Sequence, residues 1–134
     1  MIEESLALRE NVVWLDKNHI VHSVFHGDQT RDKLRKSIQE MQDLSDELSR
    51  QDKPVLLLTD LRDVGEYPME SRVVGMRGRS QLPFWRFALV TTKDDPHNYI
   101  SVSKKLTAMS ARKKEMEYFT SLPEAYRWLN ELAE

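Results

Sequence analysis

The chain has 134 residues, no cysteine, and 20 basic against 22 acidic side chains, for a formal charge of -2. That length favours one domain with a core large enough to fold without staples. The missing cysteines exclude disulfides, thiolate catalysis and cysteine-based zinc sites, and suit a reducing, cytoplasmic setting. The balanced charge leaves no electrostatic footprint for nucleic acid, and no apolar run approaches the roughly 20 residues of a membrane span.

Residues 1–10 read as a lead-in, and residues 11–134 as a single domain. Val12-Val13-Trp14-Leu15 and His19–His26 are β-branched and aromatic runs. Asp16-Lys17-Asn18 between them is turn chemistry, with Asn18 suited to a positive φ, so the pair reads as a β-hairpin. Gly27-Asp28 ends it. Asp28 or Thr30 can cap a helix whose apolar stripe is Leu34, Ile38, Met41, Leu44 and Leu48. Val55-Leu56-Leu57-Leu58 is too continuous to have a wet face and reads as a central strand covered on both sides. It is expected to give way at Thr59-Asp60 to a charged loop.

Gly65 and Pro68 break the chain before a short helix with Met69, Val73, Val74 and Met76, which Gly75 and Gly78 should weaken. Phe84–Thr92 is the next strand. Tyr99, Val102, Leu106 and Met109 mark another helix, Ala111–Lys114 a basic link, and Glu115–Thr120 a strand. Ser121-Leu122-Pro123-Glu124 is a capping box opening a helix that buries Ala125, Trp128, Leu129 and Leu132. The order ββ-α-β-α-β-α-β-α predicts an α/β fold. Its central sheet is mostly parallel, with an N-terminal antiparallel hairpin and helices on its faces.

Three stretches together resemble the STAS superfamily, in its SpoIIAA-like branch of anti-sigma factor antagonists. They are NVVWLDKNHIVHSVFHG, the strand entering Asp60-Leu61-Arg62-Asp63-Val64, and Tyr118–Leu129 with its F-x-x-x-x-E-A-x-x-W-L pattern. The resemblance spans roughly residues 11–132. It implies a non-catalytic module that binds a protein partner, such as an anti-sigma-like regulator, or a small apolar ligand. In the antagonists, a partner kinase phosphorylates a serine at the start of the helix after the D-L-x-x-V strand. Where they carry D-S-S-G, this chain has Pro68-Met69-Glu70-Ser71. Glu70 thus falls near the phosphorylated position, with a permanent negative charge, and Ser71 one later.

The carboxyl end of a central strand is where ligands collect in open α/β sheets. The expected binding residues are therefore Asp60, Arg62, Asp63, Tyr67, Met69, Glu70, Ser71, Arg72 and Val73. Several have a blander reading: Asp60 as a loop cap or arginine partner, Tyr67 as a surface aromatic, Ser71 as a capping hydroxyl. Arg72, Arg77, Arg79 and Arg86 beside Trp85 form either an anion patch or a solvated helix end. Met76, Trp85, Tyr99, Met109 and Trp128 motivate the apolar-ligand reading, or simply fill the core. His22 and His26 lie too far apart along a strand for one zinc and read as edge-strand histidines. No cofactor, metal or catalytic motif is expected. The hairpin edge strand needs covering, which homodimerisation would supply.

Overall fold

The computed structural model describes residues 9–94 and 115–133. The elements, in order, are β1 (Val12–Leu15), β2 (Ile20–Gly27), α1 (Arg31–Arg50), β3 (Leu56–Val64), α2 (Met69–Ser80), β4 (Arg86–Val90), β5 (Glu115–Phe119) and α3 (Leu122–Ala133). The strands form one sheet in the order β1-β2-β3-β4-β5. The β1–β2 pair is antiparallel and the other pairs are parallel. The helix expected around Tyr99–Met109 and the link Ala111–Lys114 lie outside the described residues.

The hairpin turn is held by Asp16, whose Oδ1 accepts from the Asn18 and Ile20 amides. His19, not Asn18, takes the positive φ, at 63°. The carboxylate already holds the Asn18 amide in place, so the left-handed step falls one residue later. At α1 the Thr30 hydroxyl accepts from the Lys33 amide, which makes Thr30 the cap rather than Asp28.

Alternation along the strands builds two cores. Val21, Phe25, Leu57, Leu61, Phe87 and Leu89 face α1 and α2. Ile20, Leu56, Leu58, Ala88 and Val90 face the opposite way, toward Ala125 and Leu129 of α3. Both faces of β3 are thereby sealed, which explains its unbroken apolar run. Leu57 and Phe87 have no exposed surface; burial of each contributes roughly 2 kcal/mol, so the sheet centre is a rigid base for whatever its ends carry.

The glycines of α2 serve packing. A Cβ at Gly75 would lie 2.8 Å from the Tyr67 hydroxyl, and one at Gly78 would lie 2.5 Å from Ile38 Cδ1. They let α2 settle onto Tyr67 and α1, and this close packing offsets their poor helix propensity. Pro68 is the N-cap of α2, so the helix starts at Met69 without a side-chain cap bond.

Candidate functional site

The structure places the Asp60–Val64 segment differently from the expected charged loop. β3 continues through it to Val64. It stays paired with β2, with Val24 opposite Asp60 and His26 opposite Asp63. One residue separates Val24 from His26, while two separate Asp60 from Asp63. This β-bulge is what lets a polar stretch remain in the ladder.

The bulge also explains Asp60. Its Oδ1 accepts from the Arg62 amide at 3.0 Å and from Arg62 Nε at 2.9 Å, while Oδ2 accepts from Arg62 Nη2 at 2.7 Å. Burial pushes the Asp60 carboxyl up, but the Arg62 hydrogen bonds and charge, with His22 adding, hold it below its ordinary value. Asp60 and Arg62 therefore satisfy each other. Asp63 is held by His26, whose Nδ1 lies 2.6 Å from Asp63 Oδ2.

His26 and His22 correct the edge-strand expectation. β2 is an interior strand, flanked by β1 and β3, and both histidines are buried. His22 stacks on Trp14 at 4.4 Å between ring centroids. Its Nε2 pairs with the Tyr126 hydroxyl, and its buried Nδ1 has no partner. Burial pushes the imidazole below its ordinary pKa, against the opposing pull of Asp16 and Asp60. Among the described residues no group of three metal-ligating side chains comes together.

Beyond the bulge, the site residues divide into buried and exposed sets. Tyr67 is part of the core under α1 and α2, not a surface aromatic, because the small Gly75 leaves room for its hydroxyl. Burial pushes its hydroxyl pKa up. Arg72 donates from Nε to the Tyr67 carbonyl at 2.9 Å and lies 5.5 Å from the ring centroid. Ser71 is 2% exposed, beyond the reach of a modifying enzyme in this conformation. Met69 is 63% exposed, Glu70 is exposed beside it, and Val73 is half-buried. Of the nine expected residues, then, Arg62, Asp63, Met69 and Glu70 are exposed and Val73 is half-buried, with Arg62 paired to Asp60 and Asp63 to His26.

That surface borders a depression of 390 Å³ between the starts of α1 and α2, with Arg31, Arg35, Glu66, Glu70 and Ser71 in its lining. A polar network with no local signal in the sequence fixes its base. Gln29, 1% exposed, donates from its amide to the Glu66 carbonyl at 2.8 Å. Its side chain bonds Asn11 and the His26 carbonyl. The Asp28 carboxylate accepts from the Glu66 amide, and Lys33 Nζ donates to the His26 and Asp28 carbonyls. The loops after β2 and β3 are thereby tied into one rim.

The proposed basic patch is dispersed. Arg86 bonds Glu115 and Glu131 and lies 4.7 Å from the centroid of Trp128. Arg72 is occupied with Tyr67. Nor do the described residues behind the apolar-ligand reading converge. Met76 is on α2, Trp85 is exposed at the start of β4, and Trp128 is on α3 across the sheet; Tyr99 and Met109 lie outside the described residues. No helix among the described residues is long and apolar enough to cross a membrane.

A model of the SpoIIAA-like family matches residues 20–130. The fold is similar to that of an uncharacterised DUF3478-family protein with a SpoIIAA-like fold from Shewanella loihica PV-4. The TM-score is 0.60 at 13% identity, covering 90% of this chain and 94% of that one. That likeness speaks to fold alone. No curated protein matches the chain.

Proposed function

The chain belongs to the SpoIIAA-like family, and from that premise we propose that it is a non-catalytic regulatory module that captures a protein partner on the first turns of α2. The observation that carries this reading is Met69. Among the described residues it is the most exposed of the large apolar side chains, at 63%, and it stands at the start of a helix without a side-chain cap, beside a depression. An exposed apolar anchor flanked by charge is the composition of a binding hot spot. Glu66 and Glu70 flank it, so the matching partner carries an apolar pocket rimmed by basic side chains.

The rest of the site supports this role by being rigid. Asp60 with Arg62, and Asp63 with His26, are internally paired, so they hold the bulged end of β3 in shape. Ser71 is buried, which favours constitutive docking over a serine phosphoswitch. Glu70 gives the position a fixed charge, weaker than phosphate.

The test uses tagged protein in extracts of its source cell, comparing wild type with Met69→Asp and Glu70→Lys. Both side chains are exposed, so thermal midpoints should stay within about 0.5 kcal/mol of wild type. A specific partner should be lost with Met69→Asp, because truncating a hot spot costs about 2 kcal/mol or more, roughly 30-fold in affinity. Unaltered capture by both variants would refute the surface. Copurifying lipid in native mass spectrometry, with no partner captured, would favour an apolar-ligand carrier instead.

A further inference from the structure

The depression between the starts of α1 and α2 holds a polar group with nothing to bond. Ser71 is 2% exposed and belongs to the lining. Its hydroxyl has no hydrogen-bond partner among the described residues. The unpartnered side-chain atoms that are fully sealed from solvent are His22 Nδ1 and Ser45 Oγ. Ser71 Oγ is therefore not sealed, and its opening is the depression. Buried hydroxyls are paired as a rule, so one left facing a gap calls for an acceptor in that gap.

Backbone donors stand beside it. The ladder of α2 begins with the Arg72 amide on the Pro68 carbonyl, at 3.0 Å. The Glu70 and Ser71 amides precede that bond, and no side chain caps them. At α1 the Thr30 hydroxyl holds the Lys33 amide, which leaves the Arg31 and Asp32 amides ahead of it. Thr30, Arg31, Asp32, Glu70 and Ser71 all line the depression. Two helix starts thus converge on one buried hydroxyl, and each adds a partial positive charge.

Charge decides what the acceptor belongs to. The lining carries four carboxylates, Asp28, Asp32, Glu66 and Glu70, against two guanidiniums, Arg31 and Arg35, so a bare anion would be repelled. The excess is unevenly placed. Asp28 Oδ1 is held by the Glu66 amide at 2.9 Å. Asp32 lies 3.5 Å from Arg35 with its side chain 98% exposed, so it is directed to water. That leaves Arg31 and Arg35 on the α1 wall, and Glu66 and Glu70 on the wall made by the loop after β3 and the first turn of α2. Among the described residues no ion pair joins the two walls. We propose that the depression binds a small zwitterion of the α-amino acid class. Its carboxylate accepts from Ser71 Oγ and the first-turn amides of α2, on the side of Arg31 and Arg35. Its ammonium donates to Glu66 and Glu70. Both walls are then matched, which neither a simple anion nor a simple cation achieves. The 390 Å³ volume lies at the small end of ligand pockets, roughly 300–1,000 Å³. Neither Met69 nor a protein partner takes part, so this site stands or falls separately from the docking surface.

Amide chemical shifts of the isotope-labelled full chain provide the test. The probes are glycine, L-alanine and L-glutamine, with acetate and methylammonium as their separate halves at matched ionic strength. At least one amino acid should shift residues 28–35 and 66–71 saturably, with a Kd below about 10 mM. Acetate and methylammonium should each bind roughly tenfold more weakly or worse, since each satisfies one wall only. Ser71→Ala should weaken the best amino acid roughly tenfold, through loss of a hydrogen bond to a charged group. Its thermal midpoint should hold or rise, because the hydroxyl removed had no partner. A serine with a purely structural role would give the opposite pattern, a lower midpoint with binding intact. Glu70→Gln should bring the amino acid's affinity down toward that of acetate. A Kd above about 10 mM for all three amino acids overturns the proposal. So does acetate bound as tightly as the best of them, or binding indifferent to Ser71→Ala.

Discussion

Gly78→Ala isolates a contact that seats α2 on α1. Two effects oppose each other. Alanine improves an interior helix position by about 1 kcal/mol. The new methyl, however, would lie 2.5 Å from Ile38 Cδ1 and 2.8 Å from Ile38 Cγ2. Both distances are far inside carbon–carbon contact, and overpacking of this kind costs about 1–3 kcal/mol. The clash should win, leaving the variant destabilised by about 1 kcal/mol. Removing the obstructing atoms should reverse the sign: in an Ile38→Ala background, Gly78→Ala should stabilise by up to about 1 kcal/mol. The coupling is then about 2 kcal/mol, within the range for residues in direct contact. Urea unfolding followed by circular dichroism reads each variant as a midpoint shift of roughly 0.5 M. A higher midpoint for Gly78→Ala in the wild-type background would refute the packing argument. So would the same effect in both backgrounds.

Two further outcomes follow from the polar groups on the sheet. Because burial lowers the His22 pKa, the unfolded chain binds a proton that the native state refuses. Stability should fall as pH drops below the ordinary histidine value toward the native one; His22→Phe should flatten that part of a pH series of thermal midpoints, and an unchanged slope would count against it. Arg62→Ala strands a carboxylate whose side chain is 13% exposed and should cost about 1–3 kcal/mol at neutral pH. The Asp60 pKa is lowered in the native state, so its contribution is present above the ordinary aspartate range and lost as pH falls through the native value. The deficit of Arg62→Ala should therefore shrink in acid, and an Asp60→Asn background should abolish most of it.

What was legible in the sequence was periodic. The 3.6-residue stripe from Leu34 to Leu48 and the unbroken run Val55–Leu58 each implied how many faces were buried, and the fold followed from their order. The capping hydroxyls were readable too, because Thr30 and Ser121 act on amides three residues away. Features that depend on distant partners were not. Gln29 meets Asn11 from 18 residues away, and nothing local marks it as buried. The bulge beyond Asp60 depends on what β2 does opposite it, so from sequence alone a charged stretch of strand looks like a loop. Tyr67 sits between Gly65 and Pro68, where no period signals burial; the room for its hydroxyl comes from Gly75, nearly two turns into α2. Of the nine expected residues, Tyr67 and Ser71 are buried, Asp60, Arg72 and Val73 are half-buried, and Arg62, Asp63, Met69 and Glu70 are exposed.

Hydrogen exchange on the free chain, and on the chain holding its captured partner, decides where docking occurs. The proposed function requires amides around residues 66–77 to slow on binding, while β1 and α3 keep their rates. Protection confined to β1 or to residues 115–131, with residues 66–77 unchanged, would contradict it.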